Sequence, residues 1–299
     1  MHTTLRQLQL FAALAEHGSV TAAAKACHVT QPTVSMQLRD LADAVGLPLH
    51  ERIDNRLHLT QAGEDLLRTA RAMSDEWAAF VQRIDAMKGL ERGRLRVALV
   101  STAKYFVPRI LGRFCARHPD IDIALEVLNR DGVIARLREN RDDLYIMSIP
   151  PADIALERRP FLPNPLVVIA AKSHPLAGRK RLPLARLASE RFILREPGSG
   201  TRLACDAHFA RAGFVPDVRL EIGSNEAIKE AVAAGMGIAV VSRHALGGKS
   251  AGPGLAILDV AGFPLHSNWW ILYPRGKSLS PIATRFLDEL TRSPSASRG

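Results

Sequence analysis

An apolar repeat between Leu66 and Met87 constrains this chain more than any other feature of its sequence. The spacing alternates 4-3 over three heptads, and the segment from Thr60 to Lys88 contains no proline. Such a repeat is typical of paired helices, and no second heptad helix lies nearby, although a pair within one chain stays open. We predict a long helix that joins two copies through Leu66, Ala70, Met73, Trp77, Phe80, Ile84 and Met87.

Three short helices are predicted before this repeat. Gly18 ends the first helix, and Ser19 caps a short alanine-rich second helix, "VTAAAKAC". Thr30 caps the third helix, whose Pro32 lies in the first turn, where a missing N–H costs nothing. A short alanine-rich helix, a tight turn and a helix with a proline in its first turn together indicate a helix-turn-helix.

The outer face of the third helix carries small polar side chains and little charge. Gln31, Thr33 and Ser35 are of the type that reaches base edges in the major groove of double-stranded DNA, and Arg39 could reach a phosphate. Met36 either touches a thymine methyl group or is a neutral replacement. The alternative is an ordinary three-helix bundle with a polar outer face.

The stretch "GLPLHERIDNRLHLT" predicts a β-hairpin that turns at "IDNR". It would form a wing beside the helix-turn-helix. Arg52 and Arg56 would then meet phosphate or the minor groove, unless they are solvated surface charges.

Charge is distributed unevenly along the 299 residues. The net charge is +10, but residues 1–92 sum to about −1 and the remainder to +11. DNA binding by the first part must therefore depend on a few well-placed groups and on two linked copies. The basic remainder either attracts an anionic ligand or is a solvated surface.

The composition, 47% hydrophobic and 23% charged, is ordinary for a soluble globular protein. Cys27, Cys115 and Cys205 are widely spaced, which argues against disulfides and zinc and fits a reducing cytoplasm. No basic leader opens the sequence, and no apolar run is long enough to cross a membrane. We expect a cytoplasmic chain without a membrane partner, metal or cofactor.

After residue 91 the pattern changes to alternating strands and helices, including one continuous helix over "TAKYFVPRILGRFCARH". This alternation predicts parallel sheets in two α/β lobes, with a ligand cleft between them. Two turns from strand to helix offer free backbone N–H groups to an anion. The candidate contacts are Ser101, Thr102 and Lys104 in "VSTAKY", and Ser199, Gly200, Thr201 and Arg202 in "EPGSGTR". Helix capping alone is the alternative for each turn.

The sequence contains no phosphate-binding loop, dinucleotide fingerprint, nucleophile elbow or zinc-protease motif, and Ser199 has no recognisable base. An α/β enzyme is therefore disfavoured. A solute-binding protein with an added helical domain is disfavoured by the heptad repeat.

Over nearly its whole length the chain resembles the LysR-type transcriptional regulators. The residues that carry this resemblance are "LRQLQLFAALAEHGSVTAAAKACHVTQPTVSMQLRDL", "GLPLHER" and "LTQAGEDLL". It implies a C-terminal fold like type 2 periplasmic binding proteins, a homotetramer built as a dimer of dimers, and an effector that changes DNA bending. It also implies DNA contacts from Gln31, Pro32, Thr33, Ser35 and Arg56, and effector contacts from Ser101, Thr102 and Thr201.

Within that family, "VSTAKYFVPRILGRF", "REPGSGTR" and "GSNEAIKEAVAAGMGIAVVS", which includes Asn225, resemble the regulators of carbon-fixation operons. The resemblance implies a phosphorylated or nucleotide effector. "YIMSIPP" departs from that pattern, because Ile149 stands at the cleft where a polar residue is expected. The alternative is a regulator of another catabolic or biosynthetic operon with a non-phosphorylated effector.

The predicted organisation has a winged helix-turn-helix at 1–60, a linker helix at 61–90 and a two-lobed α/β effector domain at 91–292. Lobe I is expected at about 93–162 and 264–292, and lobe II at about 163–263. Residues 293–299 are expected to form a disordered tail.

Overall fold

The structure is a computed structural model that describes residues 3–54, 56–87, 92–247 and 251–292. The predicted tail at 293–299, Glu91 at the start of the predicted effector domain and the side chain of Met87 lie outside this description. Two compact units divide the chain, with the main boundary after Ile84. Each unit is presented separately below.

Three helices form the start of the N-terminal unit: α1 (Leu5–His17), α2 (Val20–Ala26) and α3 (Gln31–Val45). Thr4 begins α1 with a capping box, in which its hydroxyl accepts from the Gln7 amide and the Gln7 side chain accepts in return. Ser19 and Thr30 cap α2 and α3 through their hydroxyls. The helices therefore begin where short hydroxyl side chains satisfy free backbone N–H groups.

The core of this unit is a single apolar cluster. Phe11, Leu14, Val34 and Leu41 are fully buried in it, and Ala23 of α2 lies among them. The small alanine side chains let α2 approach the larger side chains of α1 and α3 closely. The helix-turn-helix is thus held by packing on the inner face of α3, which leaves the opposite face free.

A hairpin of β1 (His50–Ile53) and β2 (Arg56–Leu59) follows, paired antiparallel, and α4 (Gln61–Met87) comes next. Gly63 in the first turn of α4 lies against the Leu49 carbonyl, where a Cβ atom would collide with the backbone. The wing, the helix-turn-helix and the long helix are all present in the described part of the unit.

The heptad repeat is divided between two environments. Ala70 is fully buried in the N-terminal core, and Leu66 packs against that core. Met73, Trp77 and Phe80 are 48%, 56% and 44% exposed, and the Trp77 and Phe80 ring centroids lie 5.5 Å apart. The prediction that Ala70 contacts a second copy is therefore wrong, because its side chain is buried in the core of its own unit. The first turns of α4 must cover that core, so the pairing surface begins further along the helix.

The elements of the C-terminal unit, in chain order, are β3 (Gly93–Val100), α5 (Val107–Arg117), β4 (Ile121–Leu128), α6 (Arg130–Arg138), β5 (Leu144–Met147), β6 (Leu156–Pro163), β7 (Leu166–Ala171), β8 (Arg191–Arg195), α7 (Gly200–Arg211), β9 (Asp217–Ile222), α8 (Asn225–Ala233), β10 (Ile238–Ser242), β11 (Leu255–Leu258), β12 (Asn268–Pro274) and α9 (Pro281–Arg292). The strands form two five-stranded sheets, in the orders β4-β3-β5-β12-β6 (lobe I) and β11-β7-β10-β8-β9 (lobe II).

Helices cover both faces of the central strands of lobe II. Along β7, Val168 belongs to the apolar cluster that contains Phe209 of α7, whereas Ile169 belongs to the cluster that contains Ile228 of α8. Neighbouring strand residues point to opposite faces, so a continuous apolar run such as β7 is the expected sequence for a strand covered twice.

Two expectations about this unit were wrong, and two strands were missed. The sheets are mixed rather than parallel, because β12 runs antiparallel to β5 and β6, and β7 runs antiparallel to β10 and β11. Strands β6 and β11 were not expected. The helix predicted from Thr102 is interrupted: a 3₁₀ turn covers Ser101–Tyr105, and α5 starts at Val107. Pro108 causes the interruption, because it lacks the N–H that a continuous helix would need there.

Candidate functional site

The free face of α3 is the first candidate site. Gln31, Pro32, Met36 and Arg39 are exposed, whereas Thr33 and Ser35 are half-buried. These side chains lie opposite Val34, Leu38 and Leu41, which are buried in the core. The predicted contact residues therefore share an accessible helix face.

Local hydrogen bonds hold the start of this face. The Thr21 hydroxyl donates to Gln31 Oε1 over 3.3 Å, which joins α2 to the first residue of α3. The Thr30 and Thr33 hydroxyl oxygens are 2.8 Å apart. Such bonds reduce the number of rotamers that each side chain can adopt before it meets a ligand.

The wing arginines are also accessible. Arg52 and Arg56 are both exposed, on β1 and β2 respectively. In the antiparallel register Arg52 pairs with Leu57 and Arg56 pairs with Ile53. Both arginine side chains are therefore accessible on the surface of this unit, where a DNA phosphate can approach them.

The second candidate site lies between the two lobes of the C-terminal unit. The free space in this cleft is small, about 10 Å³, which is room for about one water molecule. Its lining comes from the ends of β3, β4, β5 and β8 and from the start of α7, with one residue from β12: Val100, Ser101, Thr102, Asn129, Arg130, Met147, Ser148, Ile149, Arg195, Ser199, Gly200, Thr201 and Trp269.

Arg195, at the end of β8, is the central cation of the cleft. Its side chain is nearly completely buried, and its guanidinium donates to Ser101 Oγ over 3.2 Å and to Asn225 Oδ1 over 3.1 Å. Two further bonds, of 2.7 and 2.9 Å, go to the Glu196 carboxylate. A buried arginine requires such partners, because an isolated charge away from water is costly.

Hydrogen bonds from Arg195 and Asn225 join the lobes. Ser101 and Thr102 belong to lobe I, and Asn225 Nδ2 donates to Thr102 Oγ1 over 3.2 Å. Both partners in that bond are buried. The relative position of the lobes therefore sets the positions of the hydroxyl groups that line the cleft.

A second arginine approaches the cleft from lobe I. Arg130, at the start of α6, donates through Nε to the Ile149 carbonyl over 2.8 Å. Its Nη1 lies 3.7 Å from Asp131, which is largely exposed. This bond fixes the loop that carries Ile149, so that Ile149 presents an apolar side chain to the cleft where the family resemblance implies a polar one.

Helix α7 points its N-terminus at lobe I. Ser199 is the N-cap residue, but its hydroxyl does not cap the helix. A Cβ atom on Gly200 would lie 3.0 Å from Ser148 Oγ, so glycine allows the close approach of the two lobes here. The first N–H groups of this helix are without helical partners and attract negative charge.

The structure brings six of the predicted cleft residues together: Ser101, Thr102, Ile149, Ser199, Gly200 and Thr201. Lys104, Arg202 and Asn225 are not among the lining residues. Arg202 is bound by Asp206 and Glu221, and Lys104 lies 3.1 Å from Glu226. These predicted ligand contacts are occupied by carboxylates of the chain itself, and Asn225 acts through Arg195 and Thr102.

Sequence reasoning missed Asn129, Arg130, Ser148, Arg195 and Trp269. Arg130 is the first residue of α6, just after the carboxyl end of β4, and Arg195 is the last residue of β8. In α/β sheets ligands bind at that edge. The position of each arginine at the end of an apolar strand was therefore a usable signal.

A further bridge between the lobes lies beside the cleft. The Tyr105 hydroxyl donates to Glu226 Oε1 over 2.6 Å, and Lys104 binds Oε2. Burial works to raise the pKa of Glu226, but the hydrogen bonds from Tyr105 and Lys104 prevail and lower it to about 2. Burial, and then the bond to Glu226, raises the pKa of Tyr105. Glu226 is thus an anion and Tyr105 a donor at neutral pH.

Within the described residues, no cluster of three His, Cys, Asp or Glu could hold a metal ion, and no helix is long and apolar enough to cross a membrane. A winged helix-turn-helix joined to a two-lobed ligand domain defines the class of ligand-responsive transcription regulators.

Comparison with known families agrees with that class. The profile "Bacterial regulatory helix-turn-helix protein, lysR family" matches residues 5–64, and "LysR substrate binding domain" matches residues 88–294. The chain belongs to the LysR family of transcriptional regulators. It binds DNA and a small-molecule effector.

Two characterised relatives are similar over nearly the whole chain. A RuBisCO operon transcriptional regulator of Acidithiobacillus ferrooxidans is 46% identical over 97% of this chain and 94% of the relative. The transcriptional activator CmpR of Synechocystis is 44% identical over 97% of this chain and 95% of the relative.

Solved structures extend the likeness. The Synechocystis CcmR regulatory domain, solved in complex with 2-PG, is 49% identical, with a TM-score of 0.66 over 69% of this chain and 99% of that one. Full-length CbnR in complex with its target DNA is 26% identical, with a TM-score of 0.66 over 97% of this chain and 100% of that one. Full-length OxyR of Pseudomonas aeruginosa, 22% identical with a TM-score of 0.80 over 100% of this chain and 96% of that one, shares the fold.

Proposed function

We propose that this chain regulates genes of carbon fixation in response to a small phosphorylated anion bound in the cleft between its lobes, which move apart to admit it because the free space in the cleft is room for about one water molecule. The similarity to the RuBisCO operon regulator supports the choice of target genes. The similarity to a regulatory domain solved with 2-PG supports the choice of ligand class. The chain acts by binding, without catalysis, in the cytoplasm, where its target DNA lies.

One observation carries the ligand class. The cleft contains two guanidinium groups, Arg130 and Arg195, and the N-terminus of α7, whereas none of its described lining residues is a carboxylate. Hydroxyl groups of Ser101, Thr102 and Thr201 add neutral hydrogen-bonding groups. Phosphate oxygens are acceptors that guanidinium groups and helix N-termini bind well.

Glu196 offsets part of the charge of Arg195, because it binds Nε and Nη2 of that arginine. The Glu196 carboxylate is itself outside the lining set. The pair keeps the arginine fixed, while Nη2 also donates to Ser101 and Nη1 donates to Asn225. A preoriented cation loses less conformational entropy on binding than a mobile one.

DNA contact in this proposal falls to the free face of α3 and to the wing. Gln31, Pro32, Thr33, Ser35, Met36 and Arg39 meet the major groove, and Arg52 and Arg56 meet the backbone or minor groove. Two copies pair through the exposed part of the α4 repeat, from Met73 onward, and the pairs assemble further into a tetramer. Pairing supplies the affinity that a nearly neutral N-terminal segment lacks.

The test uses the full-length chain and the promoter beside its own gene. Calorimetry with 2-PG should show binding to the wild type, and 2-PG should change the footprint on that promoter. Arg195→Gln should weaken 2-PG binding by about 100-fold, because a charge-assisted bond and its lobe contacts are lost. Arg219→Gln, an exposed arginine in the same lobe, is the matched control.

Two outcomes would contradict the proposal. No binding of 2-PG or inorganic phosphate to the wild type would refute the ligand class. Binding of a non-phosphorylated metabolite instead, with a footprint on other operons, would favour the alternative regulator.

A further inference from the structure

The indole of Trp269 is a buried polar group that the chain itself leaves without a partner. Trp269 lies on β12 of lobe I, is only 1% exposed and lines the cleft. Its Nε1 atom is buried and has no hydrogen-bond partner among the described residues. Buried tryptophan N–H groups usually find an acceptor, so this one requires an explanation.

Two aromatic neighbours of Trp269 among the described residues do not offer that acceptor. Its ring lies against Phe106, with centroids 5.3 Å apart, and against His244, with centroids 6.3 Å apart. Nε2 of His244 is 2.8 Å from the Pro163 carbonyl and is therefore occupied. The aromatic contacts fix the plane of the indole without satisfying its N–H.

The strand is irregular at this residue. Trp269 pairs with Leu162 of β6, but Trp270 pairs with Pro160, so the register shifts between the two tryptophans. Irregularities of this kind turn a side chain away from its regular direction and are common beside binding sites. Trp270, one residue further on, is half-buried and packs against the lobe I core, so the two tryptophans have different surroundings.

We propose that the Trp269 indole N–H donates a hydrogen bond to an acceptor oxygen of the bound anion. This inference rests on the proposed function of the cleft and adds a contact from lobe I to those of Arg195 and α7. Trp269 carries no charge, so it contributes direction rather than attraction. A ligand whose second oxygen-bearing group reaches lobe I is favoured over one that fills only the Arg195 end.

The first test compares two substitutions in the full-length chain by calorimetry with 2-PG and with inorganic phosphate. Trp269→Phe removes the N–H and keeps an aromatic ring, and Trp270→Phe is the matched control. Trp269→Phe should weaken binding of 2-PG by about tenfold or more, because a bond to a charged acceptor is lost. Trp270→Phe should stay within about twofold of the wild type in 2-PG affinity and should keep the wild-type promoter affinity without ligand.

The second test does not require Trp269→Phe to fold. The wild type is labelled with ¹⁵N-tryptophan, and its indole N–H signals are assigned with Trp270→Phe and Trp77→Phe. Saturation with 2-PG should move the Trp269 proton signal downfield, as a new hydrogen bond does, and leave that of Trp77 in place.

The outcomes separate the two proposals. If Trp269→Phe binds 2-PG like the wild type, or the Trp269 signal does not move, the inference is overturned while the cleft remains the effector site; an ordered water as the partner of the indole would give this result. If the wild type binds neither 2-PG nor inorganic phosphate, the proposed ligand class and the inference fall together.

Discussion

The free face of α3 and the cleft between the lobes are the two proposed binding surfaces, and they are built in opposite ways. The α3 face comes from one continuous segment, and its contact residues lie outside the core. The cleft collects side chains from the ends of several strands and one helix, and Arg195 at its centre is only 3% exposed. In the proposed function the first surface depends on a second copy for affinity, whereas the second depends on the packing of its own lobes.

The largest expected effect comes from disrupting the exposed part of the α4 repeat, through which two copies are proposed to pair. Trp77→Asp places a charge on an exposed apolar stripe with Phe80 and should dissociate the dimer. Promoter affinity should fall by about 100-fold or more, because two linked binding events become independent. Sedimentation and a DNA-binding titration measure the two quantities, and 2-PG affinity serves as the internal control.

Asp75→Asn, on the same helix, is the comparison for the altered charge. A Trp77→Asp chain that stays dimeric at micromolar concentration, or that keeps wild-type promoter affinity, would contradict the role given to this stripe.

Ser35→Ala should weaken specific DNA binding by about 1–3 kcal/mol if the hydroxyl reaches a base edge. Arg39→Gln should instead weaken binding to all sequences alike and reduce the slope of affinity against salt concentration by about one. Titrations of matched and scrambled promoter fragments at several salt concentrations separate the two effects. An unchanged sequence preference in Ser35→Ala would reassign Ser35 to packing.

The α3 face could be predicted from the sequence more fully than the cleft, because it comes from one continuous segment. Thr30, Pro32 and Val34 specify a capped helix with one inner face within five residues, so local pattern was enough for α3. Arg195 reads in the sequence as a charge at the end of a strand, and only the fold shows that Ser101 and Asn225, from distant segments, surround it.

The errors have the same origin. Arg202 has the right position at the start of α7, but Asp206 and Glu221 bind it, and the contact with Glu221 comes from another strand. Strand β6 contains Pro160 and Pro163, and proline is unusual in a strand. Both prolines are tolerated because β6 is at the edge of its sheet. Long-range pairing decided each of these cases.

Thr102→Val should weaken 2-PG binding by about 1 kcal/mol, since it removes one neutral hydrogen bond and leaves Asn225 Nδ2 without its acceptor. The response of the footprint to 2-PG should fall with it, while promoter affinity without ligand stays constant. Thr284→Val, on α9, is a comparison for the loss of one threonine hydroxyl. A full footprint response in Thr102→Val would remove the bond between Thr102 and Asn225 from the mechanism.

Glu226→Gln should have the smallest effect of these substitutions, a small change in the free energy of unfolding. The Glu226 side chain is 48% exposed, so solvent screens its pair with Lys104. The pKa of Glu226 is lowered to about 2, so this carboxylate stabilises the fold at pH values above its unfolded pKa, about 4.3. That stabilisation is lost as the pH falls from about 4.3 through 2, and it is constant between pH 6 and 8. Denaturant unfolding followed at several pH values should therefore show a shallower loss of stability with acid in Glu226→Gln than in the wild type, with the two curves parallel near neutral pH. If the free energy of unfolding falls equally with acid in both proteins, the bridge from Tyr105 and Lys104 to Glu226 does not stabilise the contact between the lobes. The buried hydrogen bonds of Arg195 and Asn225 would then be what holds the lobes together.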